Sequence, residues 1–190
     1  PVIAWPTHLF DCSPISDGAA CLLLVGEELA ASFTDTPIHV RGLGQASGRN
    51  LHTADDLTSF EATRFASREA YQMADLSPDD IQFAEVHDCF SITEALICEA
   101  LGFCQEGEGM KIAADGVTSL EGSLPVNSGG GLMAFGHPVG ATGVKQIFEI
   151  YRQMNGLCGD YQVSTSPEPA LCSNMGRDDR TFVVTLLERK

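Results

Sequence analysis

Leu124-Pro125-Val126-Asn127-Ser128-Gly129-Gly130-Gly131, continuing to Gly136-His137-Pro138-Val139-Gly140-Ala141-Thr142-Gly143, is the stretch on which the reading of this chain turns. Such glycine density permits positive φ angles and close approach of the backbone to a ligand. A helix is expected directly after it, with Val144, Ile147, Phe148, Tyr151 and Met154 on one face. His137 therefore stands just ahead of a helix. The positive end of a helix disfavours an imidazolium, which leaves a neutral ring fit to act as a base. The competing reading is a tight turn with an incidental histidine, but a run this long is far less common than a lone GxGxxG.

Upstream, Phe83 to Val86 reads as a strand and Ser91 to Leu101 as a helix stopped by Gly102. Between them lies Val86-His87-Asp88-Cys89-Phe90. A thiol at a helix start is expected to ionise more easily than a free cysteine, because unpaired N–H groups face it; simple packing at a strand end accounts for the same residues. Downstream, Ala170 to Ser173 and Thr181 to Glu188 read as two strands forming a hairpin around Gly176, and Cys172-Ser173-Asn174-Met175-Gly176 by itself is no more than a polar turn.

The remaining chain completes a layered pattern. Asp17 to Phe33 reads as a turn, a continuous apolar strand and a short helix, and Ile38 to Leu43 as a strand. A helix is expected from Asp55 to Ala74, capped by Thr53 or Asp55, with Leu57, Phe60, Thr63, Ser67, Ala70 and Ala74 recurring three or four apart. Ser77 to Asp80 reads as the start of a short helix, and residues 105–123 as a polar surface excursion. The order β-α-β-α-β-α-β-β makes this an α/β layered domain.

Composition sets outer bounds. The 190 residues are 44% hydrophobic, with a mean hydropathy of +0.02, as in a globular domain with a real core. Twenty-six acidic against 11 basic residues give a formal charge of −15, which argues against nucleic-acid binding. It argues less against coenzyme A, because a few local basic groups or helix N-termini hold one nucleotide. Seven cysteines contain no CxxC pair, so no zinc ribbon is expected and no metal; they read as reduced, buried thiols in a cytoplasmic protein. No apolar window reaches membrane-spanning length and no signal peptide opens the chain. The chain starts at Pro1 rather than Met, so its start is not expected to be that of the gene product.

Together these stretches resemble the thiolase family, and more narrowly the sterol-carrier-protein-type thiolases with their bacterial and archaeal relatives. Asp11-Cys12-Ser13-Pro14-Ile15-Ser16-Asp17-Gly18-Ala19-Ala20 resembles the motif entering the last strand of the family's first half. His87-Asp88-Cys89-Phe90 stands where most thiolases have Asn-Glu-Ala-Phe, Leu124 to Gly143 resembles the Gly-His-Pro region, and Asn174-x-Gly176 falls at Cys-x-Gly. The resemblance implies an α/β thiolase-like layered αβαβα fold. Residues 1–35 would be the last strand and helix of the N-terminal half, and residues 36–190 the C-terminal domain.

The resemblance also implies roles. His137 would activate a cysteine nucleophile held in the first half. His87 and Cys89 would bind the other carbonyl and shuttle the proton at the α-carbon. The N–H of Gly176 would add to an oxyanion hole, and Ser13 would touch the pantetheine arm of coenzyme A, a substrate rather than a tightly bound cofactor. Two departures stand out. Arg177-Asp178-Asp179-Arg180 replaces the usual glycines, either as solvated hairpin residues or as groups that reshape the acyl pocket or bind a partner. No residue here fills the nucleophile's place; Cys172 is taken as structural.

Three functions are compatible with this. The first is a thiolase-type acyl-CoA acyltransferase, cleaving 3-ketoacyl-CoA or condensing in reverse, with this chain as the inactive C-terminal half. The second is a retro-aldol lyase on steroid-type CoA thioesters, working with a small OB-fold partner. The third is a non-catalytic subunit. The expected partners are an acyl-CoA and either the missing N-terminal half or further copies of the chain.

Overall fold

The fold is described from a computed structural model, over residues 1–49, 51–163 and 168–189. A small hairpin of β1 (Val2–Ala4) and β2 (Thr7–His8) opens the chain, and α1 (Glu27–Ala30) follows after a long stretch without secondary structure. The body comprises β3 (His39–Ser47), α2 (Glu61–Ala74), β4 (Phe83–Glu85), α3 (Ser91–Leu101), α4 (Gly109–Ala114), α5 (Gly131–Phe135), α6 (Thr142–Met154), β5 (Ala170–Gly176) and β6 (Thr181–Glu188). The sheet runs β3-β6-β5-β4, antiparallel at its first two pairings and parallel between β4 and β5.

Alternation along the strands sends side chains to two helix layers. Phe182, Val184 and Leu186 of β6, with Leu171 of β5, face α2 and α3, whereas Phe83, Ala170, Cys172 and Leu187 pack against Ile150 and Met154 of α6. The result is three layers, helix–sheet–helix. Helix α2 sits unusually close to the sheet. A Cβ on Gly44 would fall 1.9 Å from the Ala66 carbonyl oxygen, and Ala62, Ala66, Ala70 and Ala74 present the small surface that this approach needs.

Helix α2 begins at Glu61, not near Asp55. Asp56 instead accepts hydrogen bonds from the Thr58 amide and hydroxyl, holding residues 56–58 in a turn, and Phe60 takes a left-handed φ of 44°. The helix start is satisfied from far away: the Asp179 carboxylate accepts from the amides of Ala62 at 2.8 Å and Thr63 at 2.9 Å, and from the Thr63 hydroxyl at 2.7 Å. Asp179 is thus a buried cap rather than a solvated hairpin residue, while Arg177, Asp178 and Arg180 are exposed.

Four further expectations change. The apolar stretch from Ala19 to Val25 forms no strand; Leu23 and Leu24 are 69% and 81% exposed, because no strand among the described residues offers it a ladder. Cys21 is accordingly exposed, while Cys98, Cys158 and Cys172 are buried and Cys12, Cys89 and Cys104 half-buried. In α6 the face against the sheet carries Gln146, Glu149, Ile150, Gln153 and Met154, so most of the expected apolar stripe is only half-buried and Phe148 is exposed. The glycine run also contains α5, and the excursion at residues 105–123 contains α4; neither short helix was anticipated.

Candidate active site

The three chemistry-bearing stretches meet at one end of the sheet. His87 follows β4, His137 precedes α6 and Asn174 lies near the end of β5. The rings of His87 and His137 meet edge to face with centroids 5.0 Å apart. A cavity of about 820 Å³ is lined by Ser13, His87, Cys89, His137 and Gly176 together, so all five residues singled out in the sequence share its wall. Phe60, Phe90, Ile92, Leu96 and Met175 supply apolar lining, and Arg49 and Arg177 also border it.

Local hydrogen bonds explain how so irregular a junction holds its shape. Asn127, at a φ of 50°, accepts from the Val86 amide at 2.9 Å and donates to Glu94 at 2.8 Å, tying the glycine loop to both β4 and α3. Asp88 is buried, and its carboxylate accepts from the Leu132 amide at 2.7 Å and from the Met133 amide at 3.4 Å. A Cβ at Gly131 would lie 2.1 Å from Asp88 Oδ2, so glycine is needed there both for space and for its φ of +58°. The segment around Ser13 is fastened by the Ser13 amide donating to the Cys89 carbonyl at 2.9 Å and the Ser91 hydroxyl donating to Asp11 at 3.2 Å. Ser16 packs beneath Gly136 and Gly18 beneath Pro138.

Each candidate group has a definite protonation environment. Burial, reinforced by the neighbouring His137, pushes His87 down to about 4, and burial also lowers His137. Both rings are therefore neutral at pH 7. The Thr142 hydroxyl lies 3.1 Å from the Pro138 carbonyl, to which it can only donate, and 2.7 Å from His137 Nδ1; with its proton on the carbonyl, its lone pair accepts from Nδ1. That leaves Nε2 of His137 as the bare, basic nitrogen. Burial raises the Cys89 thiol, a hydrogen bond with Thr93 at 3.9 Å opposes this, and the charge of Asp88 raises it again. Desolvation outweighs the helix-start effect, so Cys89 is a protonated thiol, a proton carrier in its resting form, and the expectation of a readily ionised group is corrected.

Two carboxyls nearby escaped the sequence reading. Glu85 is 1% exposed, its Oε2 has no hydrogen-bond partner, and burial pushes it up to about 8. Glu94 is pushed up to about 7 by burial, against its hydrogen bond from Asn127. Their place in a strand and helix of otherwise ordinary pattern gave no signal. Cys172 is buried with its thiol raised by burial, as suits a structural residue. Among the described residues, no group of three or more His, Cys, Asp or Glu is placed to hold a metal, and no helix is long and apolar enough to cross a membrane.

The thiolase C-terminal domain-like family model matches residues 44–189. This chain belongs to the thiolase family. It is 46% identical over 189 residues to an acetyl-CoA acetyltransferase of Methanothermobacter thermautotrophicus, covering 99% of this chain and 49% of that protein. It is 35% identical over 174 residues to human sterol carrier protein 2, covering 88% of this chain and 32% of that protein. The solved structure of an Ltp2-ChsH2(DUF35) aldolase superposes with a TM-score of 0.84 at 25% identity, covering the whole of this chain and 49% of that one. This thiolase-family chain thus spans half or less of these relatives' length, and its layered fold is the thiolase-like one.

Proposed function

We propose that this domain supplies the acid–base half of a thiolase-type acyl-CoA acyltransferase, acting in 3-ketoacyl-CoA thiolysis or the reverse Claisen condensation. The observation that carries the reading is the meeting of His137, His87 and Cys89 on one cavity, where burial keeps both rings neutral and the thiol protonated. In thiolysis, His137 takes the proton of a cysteine thiol brought by the other half, and the thiolate attacks the keto carbon. The bond between that carbon and the α-carbon breaks, and Cys89 gives its proton to the α-carbon as the carbanion leaves. The thiol of incoming coenzyme A then gives its proton to the Cys89 thiolate and attacks the acyl-enzyme carbonyl. A new thioester forms, the bond to the nucleophilic cysteine breaks, and that cysteine takes back its proton from His137. His87 and the Gly176 N–H are the donors toward developing oxyanions, each such donor being worth about 3 kcal/mol when preorganised. Ser13 is the contact for the pantetheine arm, with coenzyme A a substrate rather than a resident cofactor.

In this proposal residues 1–35 complete the N-terminal half and residues 36–190 form the C-terminal domain. The half-length coverage of the acetyltransferase supports a complementary N-terminal half as partner. The likeness to the aldolase supports a second reading, retro-aldol cleavage of a bulky CoA thioester beside a DUF35-type partner.

The test is to combine this chain with a polypeptide carrying the complementary half and to follow acetoacetyl-CoA thiolysis. His137→Ala should abolish cleavage, and Cys89→Ala should slow it by about a hundredfold or more. Cleavage of a 3-hydroxyacyl-CoA without consumption of free coenzyme A would transfer the assignment to the lyase. Near-normal turnover in Cys89→Ala would remove Cys89 from the mechanism.

A further inference from the structure

Gln146 is fully buried in the face of α6 that lies on the sheet, a position where an apolar side chain would cost less to desolvate. Its amide is oriented without ambiguity. Nε2 faces the Ser173 carbonyl oxygen at 3.1 Å, and a carbonyl only accepts, so the nitrogen must be there. Oε1 therefore faces the other way, toward Asn174 Nδ2 at 2.8 Å, and an oxygen at that place admits only a donor. The Asn174 amide is thereby locked with its NH2 group inward, and the same NH2 reaches His87 Nδ1 at 3.2 Å. An NH2 group cannot accept, so Nδ1 must be the bare nitrogen of the neutral ring. Gly143 keeps the assembly tight: a Cβ there would press on the Asn174 amide, 3.3 Å from its Cγ.

We propose that Gln146 is a positioning residue which, anchored on the Ser173 carbonyl and acting through Asn174, holds the single proton of His87 on Nε2. The direction starts at a backbone carbonyl, which cannot rotate or titrate, and is handed through two amides to the ring. The consequence is a division of labour between histidines 5.0 Å apart. His87 presents an N–H at Nε2, while His137, its Nδ1 proton engaged by Thr142, presents a lone pair at Nε2. One ring is fixed as a donor and its neighbour as an acceptor, without either carrying charge. The inference rests on the acid–base reading of this cavity for its catalytic meaning, but not for its test.

The test reads the tautomer directly, with no substrate present. The 190-residue chain labelled with 15N-histidine, kept below the concentration at which it self-associates, is examined at pH 7 by two-bond 1H–15N correlation, and the His87 signals are assigned by their loss in His87→Gln. The wild type should show Nδ1 as a bare nitrogen and Nε2 as an N–H nitrogen, in one form only. Gln146→Met, which keeps the volume and removes both bonds, should release the ring into exchange between the two tautomers. Asn174→Asp replaces the donor by an acceptor and should move the proton to Nδ1. A wild-type ring already in tautomer exchange, or protonated on Nδ1, overturns the proposal, as does a Gln146→Met spectrum with His87 still wholly Nε2-protonated. If Gln146→Met fails to fold, the wild-type and Asn174→Asp spectra still decide the matter. A failed relay leaves the acyltransferase assignment standing, and an inactive assembled enzyme leaves the tautomer result standing.

Discussion

Glu85→Gln should gain stability relative to the wild type, progressively, as the pH rises above about 5. Glu85 is 1% exposed and its carboxyl is pushed up to about 8 in the folded chain, against an ordinary value near 4.3 when unfolded. A folded-state value above the unfolded one means the native chain holds a proton that the unfolded chain releases. Stability from this group is thus complete below about pH 4 and lost as the pH climbs toward about 8. Each pH unit in that window costs about 1.4 kcal/mol, so the interval from about pH 6.5 to about pH 8 removes about 2 kcal/mol.

His87 works in the opposite sense. Its folded value of about 4 lies below the unfolded one, so its contribution is present above about pH 6.5 and lost as the pH falls toward 4. Glu94, raised to about 7, acts in the same direction as Glu85 over a shorter span. Both effects cancel when the variant is compared with the wild type at each pH. Glutamine leaves an amide N–H where Oε2 has no partner, a fixed cost of about 1–3 kcal/mol that shifts the curves without tilting them. Urea unfolding at steps from about pH 5.5 to pH 8 reads the tilt. A stability difference between variant and wild type that stays flat across those steps would refute the buried, protonated Glu85.

Asp179→Ala should cost about 2–3 kcal/mol, because the first turn of α2 loses three hydrogen bonds at a buried site; Asp178→Ala, exposed beside it, should stay within about 0.5 kcal/mol, and an equal effect of the two in urea unfolding rejects the cap. Iodoacetamide at pH 7 should alkylate exposed Cys21 well before Cys89, with Cys98, Cys158 and Cys172 last; peptide mass spectrometry that finds Cys89 first would contradict its raised thiol. The chain by itself should self-associate at high concentration and bind a dye that reports apolar surface, since Trp5, Phe10, Leu24 and Val139 are each more than 80% exposed; light scattering from a 20.3 kDa monomer with no dye bound would count against this.

By itself the sequence determined the family, the order of the main elements and the five residues around the cavity. Those signals are local: glycines that mark tight backbone, the short apolar runs of β4 to β6, the stop at Gly102, and motifs a few residues long. Helix α3 and the closing hairpin were legible because their caps and turns lie inside them. Tertiary structure decided what depends on partners distant in the chain. The start of α2 moved from Asp55 to Glu61 because its amides are satisfied by Asp179, more than a hundred residues away. The apolar run from Ala19 to Val25 could not become a strand without a neighbour to pair with. Cys89 lost its expected acidity because desolvation by the packed loops outweighs one helix end. The tautomers of His87 and His137 were equally out of reach of the sequence. A ring proton is set by which atom faces it, and Asn174 and Thr142 face these rings only after α6 has packed on the sheet.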